Sequence, residues 1–148
     1  MTRVLVIDDE PDVLLLCRVN LEHAGHEVLE AHGGRDGLAL ARERHPDVVV
    51  LDLMMPAMNG YEVLAALRED DVTRDVPVVV LTAKVHREDR IRSWTDGAAD
   101  FVAKPFVPQR LLEALDRVTA MNADERAERR AQALRDLGPA QPPPDFAA

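Results

Sequence analysis

Short runs of β-branched and aliphatic residues alternate five times with segments of helical character, and that alternation leaves the chain very few folds. The runs are residues 3–8, 27–31, 48–52, 76–82 and 99–103. Each is short and bounded by turn residues, as strands buried on both faces are. The segments between them carry their own start and stop signals. Pro11 fits a first helical turn, and Gly25 stops the helix that reaches about Ala24. A helix over 33–44 is ended by His45-Pro46, and Asn59 caps a helix carrying Val63, Leu64 and Leu67. Helices over 86–95 and 108–120 complete a (βα)5 pattern. Right-handed crossovers then place helices on both faces of one parallel sheet.

The carboxyl ends of the strands in such a sheet share one edge, and ligands bind along that edge. Four runs end there on Asp8-Asp9, Asp52, Thr82 and Lys104. Taken singly, these residues read as helix caps, solvated turns or a surface Lys-Pro turn. Together they bring three carboxylates, a hydroxyl and an ammonium to one place. At about 4 Å and an effective dielectric near 20, each like-charged pair costs on the order of 4 kcal/mol, so the cluster needs a cation. Lys104 offsets one charge. An all-oxygen set with room for water suits Mg²⁺, which readily shares phosphate oxygens. A carboxylate can itself attack a phosphoryl group when cations and a hydroxyl donor take up the charge on its oxygens.

Composition narrows the remaining classes. With 148 residues, 47% of them hydrophobic, the chain has enough apolar mass for one domain and a modest appendage. Aromatics are 3%, which offers no stacking platform for single-stranded nucleic acid, and a net charge of -9 argues against binding a phosphate backbone. The single cysteine, Cys17, lies among aliphatic residues and reads as helix packing. The histidines are scattered without zinc-ligand spacing. No apolar run approaches the roughly 18 residues of a membrane span, so a cytoplasmic protein is expected.

Five motifs in order carry a family resemblance: Val-Leu-Val-Ile-Asp8-Asp9-Glu10-Pro11; Pro46-Asp47 through Asp52 to Pro56; Met58-Asn59-Gly60-Tyr61-Glu62; Pro77 through Thr82-Ala83-Lys84; and Gly97 through Asp100-Phe101 to Lys104-Pro105-Phe106. Over residues 1 to about 120 the chain resembles the receiver domain of two-component response regulators. The resemblance implies a flavodoxin-like, doubly wound five-stranded parallel sheet in the order 2-1-3-4-5. It also implies a phosphorelay protein in which Asp52 takes a phosphoryl group from a histidine kinase or a histidine phosphotransfer protein. Asp9 and Asp52 would bind Mg²⁺ directly, Asp8 largely through water, and the main-chain carbonyl of Met54 would be a further ligand. Lys104 would pair with the phosphoryl oxygens, and the Thr82 hydroxyl and Ala83 amide would take the others. Pro105 fits the family's cis peptide. Phe101 holds the position of the switch aromatic that responds to Thr82, and Phe in place of the common Tyr removes a hydroxyl. Met54 and Lys84 occupy positions that tend to set phosphate lifetime. Such a protein is a phosphoacceptor that catalyses its own phosphorylation and dephosphorylation rather than a conventional enzyme.

The expected boundaries are a receiver over 1–121, then a helical extension and disordered Pro-rich tail over 122–148, the tail beginning at 138. Asn122 and Glu125 have the spacing of a capping box, and Glu125 with Arg129 that of a favourable helical pair. Either a separate helix begins there or the fifth continues. Its apolar stripe, Ala123, Ala127, Ala131 and Leu134, is thin and fits a solvated helix or a partner-binding one. Phe106 reads as core, while Trp94 fits either packing or a partner contact. About 28 residues after the receiver are too few for the usual DNA-binding domains, so direct DNA binding is not expected. The long loop over 68–77 resembles that of stand-alone receivers, such as the chemotaxis and cell-cycle ones, which act on a protein partner. Arg110 and Ala114 stand where one dimerising subfamily has an acid and an arginine, so a monomer is expected, with any association following phosphorylation. The alternatives are a receiver fragment of a longer multidomain regulator, or an Asp-nucleophile phosphohydrolase. The second fits poorly, because Asp8 is followed by Glu10 at a helix start and no cap insertion is present.

Overall fold

The computed structural model describes residues 2–138. Five strands, β1 (Arg3–Ile7), β2 (Glu27–Ala31), β3 (Val48–Leu51), β4 (Val78–Thr82) and β5 (Asp100–Ala103), form one parallel sheet in the order β2-β1-β3-β4-β5. Between them run α1 (Pro11–His23), α2 (Gly34–Arg44), α3 (Gly60–Glu69) and α4 (Arg87–Thr95), followed by α5 (Pro108–Ala120) and α6 (Ala123–Leu137). This is the expected flavodoxin-like arrangement.

The sheet divides the core because successive side chains of a strand point to opposite faces. Val4, Val6, Val48, Val50, Val79 and Leu81 meet Leu14, Cys17 and Leu21 of α1 and Leu111, Leu115 and Val118 of α5. Leu5, Ile7, Val49, Leu51, Val78 and Val80 meet Ala41 of α2 and Val63, Leu64 and Leu67 of α3. Burying each such aliphatic side chain contributes roughly 1.5–3 kcal/mol. Cys17 is core, and burial first, then the Asp8 charge, pushes its thiol up to about 12. Ala114 is core as well, and Phe106 packs against the same layer.

Helix ends fall close to the local signals. Pro opens α1 and α5, Asn59 makes a reciprocal capping box with Glu62, and His45 ends α2 in the left-handed region at φ 49. Arg68, expected in a loop, belongs to the last turn of α3. The chain turns extended at Met121, so α6 is a separate helix, started by the Asn122–Glu125 capping box. Of the expected apolar stripe of α6 only Leu134 lies on the packed face. Ala123, Ala127 and Ala131 are exposed, whereas Arg126, Arg129, Arg130, Ala133, Leu134 and Leu137 are partly covered. Long arginine stems bury their methylenes, so a face that reads as polar lies against the protein. The expected tail beyond Gly138 lies outside the described residues.

Candidate functional site

Strand register builds the site. Ile7 pairs with Leu51, and the ladder runs one step further through the Asp52 amide to the Ile7 carbonyl at 3.0 Å, which sets Asp8 beside Asp52. Thr82 pairs with Ala103, and the Lys104 amide donates to the Thr82 carbonyl at 2.9 Å. The four strand ends thus converge.

Carboxylate oxygens of Asp8, Asp9, Glu10 and Asp52 lie within 4.8 Å of one another. Asp8 and Asp52 are buried, at 1% and 2% exposure. Each is aimed by a local turn: the Glu10 amide donates to Asp8 Oδ1 at 2.9 Å, and the Met54 amide to Asp52 Oδ1 at 3.1 Å. The Lys104 ammonium crosses the gap, donating to Asp8 Oδ2 at 2.9 Å, Glu10 Oε1 at 3.0 Å and Asp52 Oδ2 at 3.3 Å. The Lys104–Pro105 peptide is cis.

Electrostatics show the cluster short of positive charge. Burial holds the Asp8 carboxyl above its ordinary value, opposed by the Glu10 amide and Lys104 and reinforced by the Asp52 charge. Burial pulls Lys104 down, but its bonds to Asp8 and Glu10 and the Asp8 and Asp52 charges outweigh that and raise it. One ammonium faces four carboxylates. The all-oxygen donor set and this unbalanced charge fit a hard divalent cation such as Mg²⁺.

The remaining candidates are spread round this edge. Thr82 is fully buried at the end of β4, its hydroxyl accepting from the Lys84 amide at 3.2 Å. Ala83 and Met54 are exposed on the loops that follow β4 and β3. Phe101 is partly buried against the core, with the Arg90 guanidinium 5.3 Å from its ring centroid. His86 stands at the start of α4 without a capping side-chain bond and is exposed. Trp94 is buried under α6, where the Arg129 guanidinium stands 5.8 Å from its ring centroid.

Three contributors escaped the sequence reading. Glu10 joins the acid cluster, a position that only its fixed spacing from the Asp pair could have suggested. Asp100, immediately before Phe101, is buried between Arg117 of α5 at 3.1 Å and Arg129 of α6 at 3.2 Å. The Tyr61 hydroxyl donates to Asp89 at 2.8 Å, under the Arg92 guanidinium at 3.8 Å from the ring centroid. No local pattern signals the last two.

A five-stranded parallel sheet with this acid cluster, threonine and lysine along one edge defines a class, and the comparisons agree. The family described as the response regulator receiver domain matches residues 4–116, and the chain belongs to it. Protein PilH of Pseudomonas aeruginosa is 38% identical over 120 residues, covering 81% of this chain and 99% of PilH. The DNA-binding dual master transcriptional regulator RpaA of Synechocystis is 43% identical over 112 residues, covering 76% of this chain but 46% of RpaA. The chain therefore spans nearly all of one relative and about half of the other. The chemotaxis protein CheY4 of Vibrio cholerae superposes with a TM-score of 0.77 at 35% identity, covering 80% of this chain and 98% of that one. A response regulator structure from Chloroflexus aurantiacus gives 0.77 at 30% identity, covering 81% and 98%. The family assignment displaces the phosphohydrolase alternative. No described helix is long and apolar enough to cross a membrane.

Proposed function

We propose that Asp52 accepts a phosphoryl group from a histidine kinase or histidine phosphotransfer protein, and that the modified receiver acts on a protein partner through the face carrying Thr82 and Phe101. The observation that carries this reading is Lys104, whose ammonium reaches both Asp8 and Asp52 in the buried acid cluster. In the transfer, an Asp52 carboxylate oxygen forms the O–P bond while the N–P bond to the donor imidazole breaks and the imidazole keeps the electron pair. Lys104 stands within reach of the charge brought to Asp52. The Thr82 hydroxyl keeps its proton as a donor, since it accepts from the Lys84 amide. Asp8, Asp9 and Asp52, with the Met54 carbonyl, are the groups that would hold Mg²⁺. Bound there, it would neutralise phosphoryl oxygens during transfer.

Apolar side chains around this edge support a protein as the donor. Met54 and Val107 are exposed on the loops after β3 and β5, and Leu15, Leu16 and Val19 form an exposed strip on α1. An apolar rim round a charged centre suits a protein surface. The coverage of PilH favours a single-domain receiver signalling by protein contact. The half-coverage of RpaA supports the other reading, a receiver within a longer regulator.

The test is incubation with acetyl phosphate and Mg²⁺, followed by mass mapping of the hydroxylamine-labile adduct. Labelling should fall on Asp52 and vanish in Asp52→Asn or in EDTA. Full labelling of Asp52→Asn at another aspartate would overturn the assignment.

A further inference from the structure

Away from the acid cluster, where β4 and β5 begin, Arg68 of α3 and Arg126 and Arg130 of α6 line one cavity of about 280 Å³. Arg68 is held rigidly there. It donates to the carbonyls of Arg74 at 2.8 Å, Val76 at 2.7 Å and Gly97 at 2.9 Å. Gly97, at φ 105, lies so close that a Cβ would stand 2.9 Å from Arg68 Nε. Arg126 likewise donates to carbonyls, those of Val118 at 3.3 Å, Asp75 at 3.4 Å and Met121.

The cavity has an excess of positive charge. Among the described residues no carboxylate lies within ion-pair distance of Arg68, Arg126 or Arg130. Its carboxylates are Asp75 and Asp96, and Asp96 is engaged by Arg92 at 3.7 Å. Burial and then the neighbouring Arg130 charge push Arg68 down to about 10 against the opposing Asp75 charge, and burial and then Arg126 lower Arg130. The chain as a whole is acidic, with a net charge of -9. A confined positive site on an acidic protein selects a small anion and repels a long polyanion. Guanidinium forks favour phosphate oxygens, and the volume lies just below that of ordinary ligand pockets.

We propose that this cavity binds a small phosphate-bearing anion, which bridges Arg68 on the receiver body to Arg126 and Arg130 on α6 and clamps that helix in place. The site is separate from the phosphoacceptor edge and needs neither Mg²⁺ nor phosphorylation.

The test is a titration of the full chain with inorganic pyrophosphate in EDTA, followed by amide NMR. Amides of Asp75, Gly97 and Arg126 to Arg130 should shift saturably while those of Thr82 to Lys84 stay still. Arg130→Gln should bind about ten-fold more weakly, the loss of one charge-assisted contact. Arg130→Glu should abolish the response and, by supplying the missing negative charge, keep or raise the melting temperature. Repeating the titration with ADP separates a free phosphate from a nucleotide, and a saturable response to either one supports the site. The proposal fails if the shifts do not saturate, if sodium chloride at matched ionic strength reproduces them, or if Arg130→Gln binds as the parent does.

Discussion

Gly60 is pressed directly against Asp52: a Cβ at Gly60 would stand 2.2 Å from the Asp52 carbonyl oxygen and 2.6 Å from Leu53 Cα. The Gly60 amide also donates to the Leu53 carbonyl at 3.0 Å. The start of α3 and the loop bearing Asp52 are therefore one packed unit, and both obstructing groups are backbone. Gly60→Ala should cost about 2–3 kcal/mol of stability and weaken Mg²⁺ binding by displacing Asp52. Gly33→Ala is the control, since a Cβ there meets nothing within 4 Å, and it should stay within about 0.5 kcal/mol. Urea melts and a Mg²⁺ titration read both effects.

Removing Lys104 leaves Asp8 and Asp52 facing each other without their shared cation. Its side chain is 12% exposed, so solvent screens little of that repulsion. Lys104→Met should lose about 3 kcal/mol in EDTA and regain much of it in Mg²⁺. Equal losses in both buffers would show that the lysine acts through packing alone.

Tyr61 is the chain's single tyrosine, which makes its ionisation directly readable by ultraviolet absorbance. Burial first, then the hydrogen bond to Asp89, pushes its phenol up to about 12 from 10.0. The folded state therefore holds the phenolic proton more tightly than the unfolded state does. That contribution to stability is complete below pH 10 and is lost as pH rises toward about 12. A native absorbance midpoint near the free-tyrosine value would contradict the buried Asp89 contact, and Tyr61→Phe should remove this part of the pH dependence.

The α6 helix covers Trp94 and contributes Arg129 to Asp100. Cutting the chain after Met121 should shift Trp94 fluorescence to the red and cost about 1–2 kcal/mol, from exposed apolar area and a broken partly buried pair. Labelling of Asp52 should survive the cut. A truncated chain that fails to fold would place the domain boundary beyond residue 121.

How much of this was legible in the sequence follows from the range of each interaction. Strand positions, helix starts at Pro11, Asn59 and Pro108, and the polar residues ending each strand follow from local periodicity and capping. Parallel pairing then carries Asp8, Asp52, Thr82 and Lys104 to one edge. The reach of Lys104 to Glu10 could not be read, because it spans two loops whose paths depend on packing. Nor could the pressure of Gly60 on Asp52, which is a distance between backbones.

The extension shows the division most plainly. Its capping box, Asn122 with Glu125, is a contact within four residues that the sequence alone determined, while leaving open whether a new helix starts there or α5 runs on; the extended backbone at Met121 decided that. Which face of that helix lies against the protein was decided only by the tertiary structure. The alanines that look like a packing stripe are exposed, because the surface beneath α6 offers Asp100, Trp94 and main-chain carbonyls. Arginine can satisfy such groups and bury its stem at once, and alanine cannot.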